Sequence, residues 1–301
     1  MDICADIILS GSVVPRLGQV EQMIDDYAVM MGGSAAIFAC QCARMGLKTA
    51  GVGVVGDDAF GGTIMDTMRA CGVETRHIIT EPETKTGATF IICKDDDRGM
   101  LTYAGTIDAA KPEHFTDILM GQARHLHIAS YYLMPQLRPA YPDIVRRARA
   151  RDMTVSIDTN WDPDETWAGI RELLPLCDLF MPNENELRAI TGEDNLDKAL
   201  TLARQWVPHV ALKLGEDGAR YAGVLGDVTV PSFPAPRVVD AVGAGDSFDG
   251  AYLWGFLQGK SPRECLLLGC AAGSMNVRGA GGTSSQGNLQ ELLALSGVGA
   301  A

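Results

Sequence analysis

The sequence predicts an α/β fold in which helices cover both faces of a mostly parallel sheet. Three observations lead to this prediction. From about residue 124 onward, short apolar runs typical of buried strands alternate with helical patterns. Residues 243–273 are rich in glycine and alanine and have a helical pattern. Further upstream, two strand-like runs flank a charged turn, so we expect a β-hairpin that adds a small β element to the core.

Length, composition and charge are those of a globular chain. At about 150 residues a domain, 301 residues would allow two domains, but α/β folds of this size are often one unit, and we expect a single domain over residues 1–301. Apolar residues at 47% and charged residues at 21% exclude a mostly disordered chain or a coiled coil. The net charge of −13 disfavours nucleic acid and anionic membranes as partners, although a few local donors can still bind a small anion.

The chain carries no pattern of export or membrane insertion. No run reaches the ~18 apolar residues that cross a bilayer, and Asp2 and Asp6 stand where a signal peptide would carry positive charge. The eight cysteines are scattered without C-x-x-C or zinc spacing, so buried free thiols are expected. These observations predict a cytoplasmic protein.

The first elements are a strand and a helix joined by an irregular segment. Residues 6–9 (DIIL) predict a buried strand, and residues 13–31 predict short strands and turns. An alanine-rich helix then follows a Gly-Gly pair, with Ser34 placed to cap its start and Gly46 to end it.

The remaining elements rest on the same signals. A strand is expected at 49–55, a helix at 62–71, and the hairpin strands at 89–93 and 100–103. The alternating region then predicts strands at 125–130, 153–158, 179–182 and 210–215, helices at 138–151 and 183–190, and a second hairpin-like piece at 219–230.

The strongest signal for chemistry is a glycine-rich turn that ends in an acid. Gly243, Ala244, Gly245 and Asp246 precede the helical run 249–258. Small residues at a helix start let backbone N–H groups approach an anion, and the helix dipole favours negative charge there. An aspartate inside such an anion hole would repel phosphate unless it accepts a proton from an attacking alcohol. The alternative is a plain turn with Asp246 as the helix N-cap.

The stretch D-A-V-G-A-G-D at 240–246 resembles the C-terminal signature of the ribokinase/PfkB carbohydrate kinases. Three further segments resemble family motifs and occur in family order. They are the N-terminal signature at 32–46 with 55–61, the N-x-x-E segment at 182–186, and the nucleotide loop at 213–219. The resemblance spans nearly the whole chain and implies a ribokinase-like three-layer α/β/α fold and ATP-dependent phosphorylation of an alcohol.

The resemblance also implies a catalytic base and a lid. Asp246 would be the general base, and the three residues before it would supply the amide groups of the anion hole. The family has a small β-sheet lid over the sugar that often serves for dimerisation. Residues 12–31 and 85–107 would form this lid, and a homodimer would form through its exposed edge strands.

The nucleotide site follows from the resemblance in the same way. Asn183 and Glu186 would hold Mg²⁺-bound phosphate oxygens through water, and Lys213, Gly215 and Gly218 would border ATP. The alternatives are a solvated helix-face charge for Glu186 and an ordinary exposed lysine at a strand end for Lys213.

A monovalent-cation site, with K⁺ as the expected ion, is implied near the C-terminus. Asp240, Asn276, Gly279, Gly281 and Ser285 lie in the two segments that resemble the family's cation site, which is built largely from backbone carbonyls. The alternative is a flexible glycine-rich turn without a ligand.

The substrate site departs from the family pattern in two places. The family has an acid shortly after the first strand, where this chain has Arg16, and an Asn in the helix after Gly32, Gly33 and Ser34, where this chain has Ile37. The three residues at the helix start stay substrate candidates. Arg16 carries only donors, in a fork that suits a carboxylate, sulfonate or phosphate, which leaves an anionic substrate open. Arg16 on the surface of a mobile lid is the alternative.

Further substrate candidates follow a strand or lie in the hairpin. Asp158, Asn160 and Asp162 come at the end of a predicted strand, where α/β folds bind ligands. Their segment resembles the D-x-N-x-R motif of fructokinases and ketodeoxygluconate kinases, with Asp162 in the Arg position. Asp162 would bind a hydroxyl or an amine, or else be a turn residue before a proline. Tyr103 is a candidate wall of the sugar site, or lid packing.

The sequence also contains a pattern that is typical of another function. The G-x-G-x-x-G pattern at 51–56 matches a dinucleotide fingerprint, but it lies inside a valine-rich run and precedes two aspartates that would repel a pyrophosphate, so it is rejected. A nucleoside kinase and a non-catalytic sugar or nucleotide sensor of the same fold remain alternatives. The sequence predicts an ATP-dependent kinase of a small sugar or sugar acid, with Mg²⁺ and K⁺ as cofactors.

Overall fold

The computed structural model describes residues 1–11, 15–94 and 97–299. Residues 12–14, 95 and 96 of the predicted lid segments lie outside the described residues. The strands are β1 (Cys4–Ser10), β2 (Asp26–Gly32), β3 (Gly53–Gly56), β4 (Ile78–Glu81), β5 (Gly87–Lys94), β6 (Asp97–Tyr103), β7 (His125–Ile128), β8 (Thr154–Ile157), β9 (Leu179–Phe180), β10 (His209–Lys213), β11 (Ala219–Gly223) and β12 (Gly226–Val230). The helices are α1 (Ser34–Arg44), α2 (Ala59–Ala70), α3 (Asp117–Met120), α4 (Tyr141–Arg149), α5 (Ile170–Leu173), α6 (Glu184–Thr191), α7 (Leu196–Ala203), α8 (Ala244–Leu257), α9 (Pro262–Asn276) and α10 (Leu289–Ser296).

The larger sheet carries the parallel core that the sequence predicts. Its strand order is β12-β11-β10-β9-β8-β7. Strands β7 to β10 run parallel to one another, and β11 and β12 add an antiparallel hairpin at one edge. Both the strand–helix alternation and the second hairpin are therefore confirmed.

Helices cover this sheet on both faces, as the apolar runs require. Phe180, Val210 and Leu212 pack in one core with residues of α4, α6 and α7. Their neighbours Leu179 and Ala211 point to the opposite face and pack with residues of α8 and α9. Because strand side chains alternate between faces, a run that is apolar at every position needs a partner layer on each side.

The lid sheet, as we call β1, β2, β5 and β6, has the order β2-β1-β5-β6. Strand β1 pairs antiparallel with β2 and parallel with β5, which in turn forms the predicted hairpin with β6. The sequence predicts β1 as a strand but does not predict that it forms the middle of this sheet. A separate pair, β3 and β4, is parallel.

The start of α1 differs from the prediction that Ser34 caps it. Gly33 is the N-cap and provides no side-chain cap, and Ser34 is the first helical residue. The Asp2 carboxylate accepts hydrogen bonds from the backbone N–H groups of Ser34 at 2.8 Å and Ala35 at 2.9 Å. A residue 32 positions away in the chain thus satisfies the helix start, which local capping patterns do not reveal.

Helix α8 begins earlier than its apolar pattern indicates, and this places the acid of the glycine-rich turn inside the helix. Gly243 is the N-cap with φ +74°, and Asp246 is the third helical residue, so the alternative of Asp246 as N-cap is wrong. A Cβ at Gly243 would lie 2.7 Å from the Cα of Gly282, so the turn needs glycine for both its conformation and its space.

Within the described ranges, no helix combines the length and the apolar character that crossing a membrane requires.

Candidate active site

The predicted site residues collect at the carboxyl ends of the parallel strands. Asp158 and Asn160 follow β8, Asn183 follows β9, and Lys213 ends β10. The start of α8 lies next to these residues, because a Cβ added at Gly245 would be 3.7 Å from Nζ of Lys213. Ligands of open α/β sheets bind in the crevice outside the carboxyl ends of the strands, which is where these residues lie.

Asp246 lies in the first turn of α8 and is only 7% exposed. Burial and the nearby charge of Asp158 raise the pKa of this carboxyl well above its usual range, and Lys213 and a hydrogen bond with the Ser34 side chain act in the opposite direction. A carboxylate with a raised pKa binds a proton more strongly, which suits it to accept one from an alcohol. Of the N–H groups in this first turn, that of Ala244 donates to the carbonyl of Ala241 at 3.3 Å, and those of Gly245 and Asp246 have no preceding helical carbonyls to bind.

Lys213 is the centre of a buried cluster of opposite charges. Its Nζ lies 2.6 Å from Oδ2 of Asp158 and 3.1 Å from Oδ2 of Asp249, and the three side chains are 13%, 4% and 1% exposed. The alternative of an ordinary exposed lysine is therefore wrong. The predicted contact of Lys213 with a nucleotide stays a prediction, and it would have to be made beside these two ion pairs.

The two acids of this cluster have different protonation preferences. Burial opposes the charge of Asp158, yet Lys213 and a hydrogen bond from Asp249 hold its pKa below its usual value. Burial raises the pKa of Asp249 well above its usual range. The Lys213 ammonium and the hydrogen bonds together therefore outweigh burial at Asp158, whereas burial outweighs the ammonium at Asp249.

Asn183 and Glu186 form a capping box at the start of α6. The Asn183 side chain accepts the N–H of Glu186 at 2.9 Å, and the Glu186 side chain accepts the N–H of Asn183 at 2.9 Å. Glu186 is buried rather than solvated, and burial, together with the charge of Asp158, raises its pKa to about 7. In the described part of the chain, no group of three or more His, Cys, Asp or Glu side chains is arranged to hold a metal.

The loop after β10 has the shape that its two glycines allow. Gly215 begins an exposed helical turn with φ +58°, and Gly218 has φ +104°. A Cβ at Gly218 would lie 2.1 Å from the carbonyl oxygen of Val230, so this position admits only glycine. Their predicted contact with a nucleotide stays a prediction.

The two segments predicted to hold a monovalent cation are in contact. The Asp240 carboxylate accepts the N–H groups of Val242 at 3.0 Å and Gly281 at 2.9 Å. The Asn276 side chain donates to the carbonyl of Val242 at 2.7 Å, and its Oδ1 is buried without a hydrogen-bond partner among the described residues. A buried orphan oxygen beside a carboxylate is an observation that fits a cation ligand.

The same loop also contacts the lid sheet. A Cβ at Gly279 would lie 2.1 Å from the Ser285 hydroxyl, and a Cβ at Gly281 would lie 2.3 Å from Sδ of Met30 in β2. The C-terminal loop therefore fits closely between the lid sheet and the start of α8.

Two of the predicted substrate residues connect Asp246 with the end of β8. Asn160 donates its side-chain N–H to the Ser34 hydroxyl at 3.0 Å and accepts the N–H of Ser130 at 2.9 Å. Ser34 also lies close enough to Asp246 to lower the pKa of its carboxyl, so the three polar side chains follow one another across the site. A hydroxyl-bearing ligand would find both donors and acceptors along it.

Sequence reasoning missed Asp6 by seeking an acid near Arg16. Asp6 is 7% exposed, and a Cβ at Gly32 would fall 2.3 Å from its Oδ1, so the carboxylate covers the glycine that precedes α1. It lies on the same face of β1 as Cys4, whose thiol is 3.7 Å away. An acid inside an apolar strand was the available signal.

Three predicted substrate contacts lie elsewhere. Arg16 is exposed in the irregular segment before β2. Asp162 accepts four hydrogen bonds from its own loop, namely from the N–H groups of Asp164, Thr166 and Trp167 and from the Thr166 hydroxyl, as its alternative as a turn residue implies. Tyr103 is 51% exposed, and its register with Ala88 and Ala5 puts it on the face of the lid sheet opposite to Asp6.

Comparisons with known proteins agree with the observed fold. A family model described as pfkB family carbohydrate kinase matches residues 13–288. The ribokinase of Bacillus subtilis is 25% identical over 96% of this chain and 96% of its own. The 2-dehydro-3-deoxygluconokinase of the same organism is 27% identical over 86% and 84%. A ribokinase II structure from E. coli with bound ATP and Mg²⁺ has a TM-score of 0.87 and 24% identity over 98% of this chain and 96% of its own.

Proposed function

The chain belongs to the pfkB family of carbohydrate kinases and has a ribokinase-like α/β fold. From this premise we propose that it transfers the γ-phosphoryl group of ATP to a hydroxyl group of a small sugar. The observation that carries the proposal is the buried Asp246 carboxylate at the start of α8, with its raised pKa and its contact with Ser34.

The residues around Asp246 and at the start of α6 would act together in this transfer. Asp246 accepts the proton of the attacking hydroxyl, and Ser34 and Asn160 orient the sugar beside it. The N–H groups of the first turn of α8 stabilise the charge of the transferred phosphoryl group. Asn183 and Glu186 carry side-chain oxygens at the same sheet edge and would hold phosphate-bound Mg²⁺ through water, and the ion would neutralise phosphate charge.

The polarity of the site favours a neutral polyol over an anion. Asp6 is a buried acceptor beside Gly32, whereas Arg16, the cationic candidate, is exposed. A carboxylate accepts hydrogen bonds from sugar hydroxyls and repels an acidic substrate. Asp6→Asn is expected to raise KM for the sugar at least ten-fold with ATP affinity unchanged, and the matched variant Arg16→Ala is expected to leave both constants unchanged. The opposite pattern would indicate an anionic acceptor.

A nucleoside acceptor is the second candidate, and Trp161 is the observation that favours it. Trp161 directly follows Asn160, is 46% exposed, and packs edge-on against Trp167 with ring centroids 5.0 Å apart. A half-exposed indole at the acceptor edge can stack on a base.

We propose that K⁺ occupies the loop of Asp240 and Asn276. Its support is the unpartnered Oδ1 of Asn276 and the glycines that bring the loop backbone close to Gly243. Replacing K⁺ by Na⁺ in the assay is expected to lower turnover several-fold in the wild type and to have little effect in Asp240→Asn. Equal turnover in both ions would contradict this site.

The lid sheet is also the proposed dimer interface. Val29, Ile7, Phe90 and Leu101 form one row across the four strands, and three of them are 42% to 64% exposed. Leu101→Lys is expected to give a monomeric mass in analytical ultracentrifugation, and Ile118→Lys, which changes an exposed apolar residue outside the lid sheet, is expected to leave the dimer intact.

Residues 1–301 are proposed to form one folding unit in the cytoplasm. The described cysteines that carry free thiols suit a reducing compartment, and a single calorimetric transition is the expected result.

The test of the function is ADP release with Mg-ATP and K⁺ across neutral sugars, sugar acids, sugar phosphates and nucleosides. Activity on neutral sugars is the expected result. Activity on nucleosides alone would select the second candidate. ATP binding with no activity on any acceptor would indicate a sensor.

A further inference from the structure

Two cysteines meet where α1 packs against the end of α2. Cys40 is fully buried in α1, and Cys71 is the partly exposed C-cap of α2. The two thiols are close enough to affect each other's pKa. The chain runs close to α1 beside them, because a Cβ added at Gly72 would lie 3.8 Å from the Cβ of Ala43.

Arg44 supplies a positive charge to this pair. Cys40 and Arg44 are four residues apart in α1 and so share a helix face, and the Arg44 Nη2 donates to Sγ of Cys71 at 3.7 Å. The neighbouring Cys40 thiol and the Arg44 guanidinium lower the pKa of Cys71 to about 6, which favours its thiolate. The same contact and burial raise the pKa of Cys40, which therefore keeps its proton.

We propose that Cys71 and Cys40 form a peroxide-reactive dithiol site, in which Cys71 is oxidised first and Cys40 closes a disulfide. Cys71 is the accessible member next to a cation, and Cys40 is the neighbouring thiol on the adjoining helix that would resolve it. No part of the proposed kinase reaction uses either residue.

The chemistry balances with hydrogen peroxide as the oxidant. The Cys71 thiolate attacks one peroxide oxygen, the O–O bond breaks, and the departing hydroxide takes up a proton to leave as water. The sulfur of Cys40 then attacks the resulting sulfenic acid, an S–S bond forms, and hydroxide leaves with the proton of Cys40 as a second water. Two thiols and one peroxide thus give one disulfide and two waters.

The other described cysteines lack these features. Burial raises the pKa of each of their thiols, so that they stay protonated; these are Cys4, Cys42, Cys177, Cys265 and Cys270. Thiolate reactivity is therefore expected to be selective for Cys71 among the cysteines whose side chains the structure describes.

The dithiol site is linked to the start of α8 through Arg44. The Arg44 Nη1 donates to the carbonyl of Gln286 at 3.4 Å, and the Gln286 side chain donates to the Ser247 hydroxyl at 3.1 Å and to the carbonyl of Ile37 at 2.9 Å. Ser247 directly follows Asp246. Disulfide formation removes the thiolate charge that faces Arg44, so we infer that it also lowers turnover at the site.

The test begins with the full chain and a readout independent of kinase activity. Treatment with one equivalent of hydrogen peroxide at pH 7 is expected to lower the mass by 2 Da and to join the peptides of Cys40 and Cys71 in a non-reducing digest. In Cys40→Ser a sulfenic acid at Cys71 is expected to be trapped by dimedone. In Cys71→Ser neither product is expected. Cys270→Ser, as the matched control, is expected to behave as the wild type.

Two results would overturn the dithiol site. One is a peroxide-treated wild type in which Cys71 carries further oxygen and no peptide is joined to Cys40. The other is a disulfide between other cysteines that persists in Cys71→Ser. Because these readouts are masses, they stand even if the proposed function fails.

The link to the active site has its own test. The disulfide is expected to lower ADP release at least two-fold, reversibly with dithiothreitol, and Cys71→Ser is expected to be insensitive to peroxide. Full disulfide formation with unchanged turnover would refute this link.

Discussion

Lys213→Met tests the buried charge cluster that supports the site. The substitution keeps an unbranched apolar stem of similar length and removes the ammonium that lies 2.6 Å from Asp158 and 3.1 Å from Asp249. The ionised Asp158 then has no positive partner in a position that is 4% exposed. We expect a large loss of stability at neutral pH.

The magnitude follows from the distances. Unit charges 2.6 Å apart attract by about 6 kcal/mol at an effective dielectric constant of about 20. Removing Lys213 also recovers the cost of burying its own charge, which offsets part of this loss. Breaking a buried ion pair by removing one partner costs about 3–5 kcal/mol, and we expect a decrease of this size in the free energy of unfolding at pH 7.

The loss is also expected to depend on pH. Lys213 holds the pKa of Asp158 below its usual value, so its contribution to stability is present above the unfolded-state pKa of about 3.9 and is lost as the pH falls through the folded-state pKa. In Lys213→Met, protonation of Asp158 relieves the buried charge. The difference between the free energies of unfolding of wild type and variant is therefore expected to become smaller from pH 8 to pH 5.

The assay is urea unfolding at several pH values, with Lys198→Met as the control because Lys198 is exposed on α7. Adding Asp158→Asn to Lys213→Met is expected to recover part of the loss, since it removes the uncompensated charge. A loss below about 1 kcal/mol at pH 7, or the same loss at every pH, would refute the ion-pair argument.

Two further predictions concern acids that hold local structure. Asp162→Ala removes four hydrogen bonds within its loop, so it is expected to lower the free energy of unfolding by about 2–4 kcal/mol at pH 7. The KM for the sugar is expected to stay unchanged. A raised KM at unchanged stability would instead support a substrate contact. Because the pKa of Asp162 is lowered, this loss is expected to shrink as the pH falls below about 4. Asp2→Ala removes the acceptor of two N–H groups at the start of α1 and is expected to cost about 1–2 kcal/mol in thermal unfolding, whereas Ser34→Ala, at the predicted cap, is expected to cost less.

Elements that depend on local pattern were predictable, and those that depend on distant pairing were not. Strands β9 and β10 follow from apolar runs, because a strand buried on both faces is apolar throughout, whereas β7 and β8 carry His, Thr or Ser at alternate positions. Strand β1 was equally visible as a strand. Its place in the lid sheet depends on pairing with β5, which begins at Gly87, and no local signal encodes that partner.

The same distinction explains the outcome for the charged residues. The turn that holds Asp246 is a local motif, so both its glycines and its acid were identified. The burial of Lys213 depends on carboxylates from β8 and α8, which a pattern within β10 cannot reveal. Asp162 is a residue type that is common in binding sites, yet its carboxylate accepts hydrogen bonds from N–H groups of its own loop.

Two missed residues had signals that periodicity could have provided. Asp249 lies three residues after Asp246 and so on the same side of α8, once the helix is taken to begin at Ala244. Asp6 is an acid inside an apolar strand, and a buried carboxylate needs partners or a function. Both acids lie within a helix or a strand, and such charged residues are site candidates as much as those that follow a strand.

The most direct test of the central claim is the turnover of Asp246→Asn. The substitution keeps the shape of the side chain and removes its capacity to accept a proton from the sugar. With a sugar that the wild type phosphorylates, kcat is expected to fall by about 10²–10⁴-fold, and ATP affinity measured by calorimetry is expected to stay within about three-fold. A kcat within a few-fold of the wild type, in a folded variant that binds ATP, would contradict the role of Asp246 as the general base.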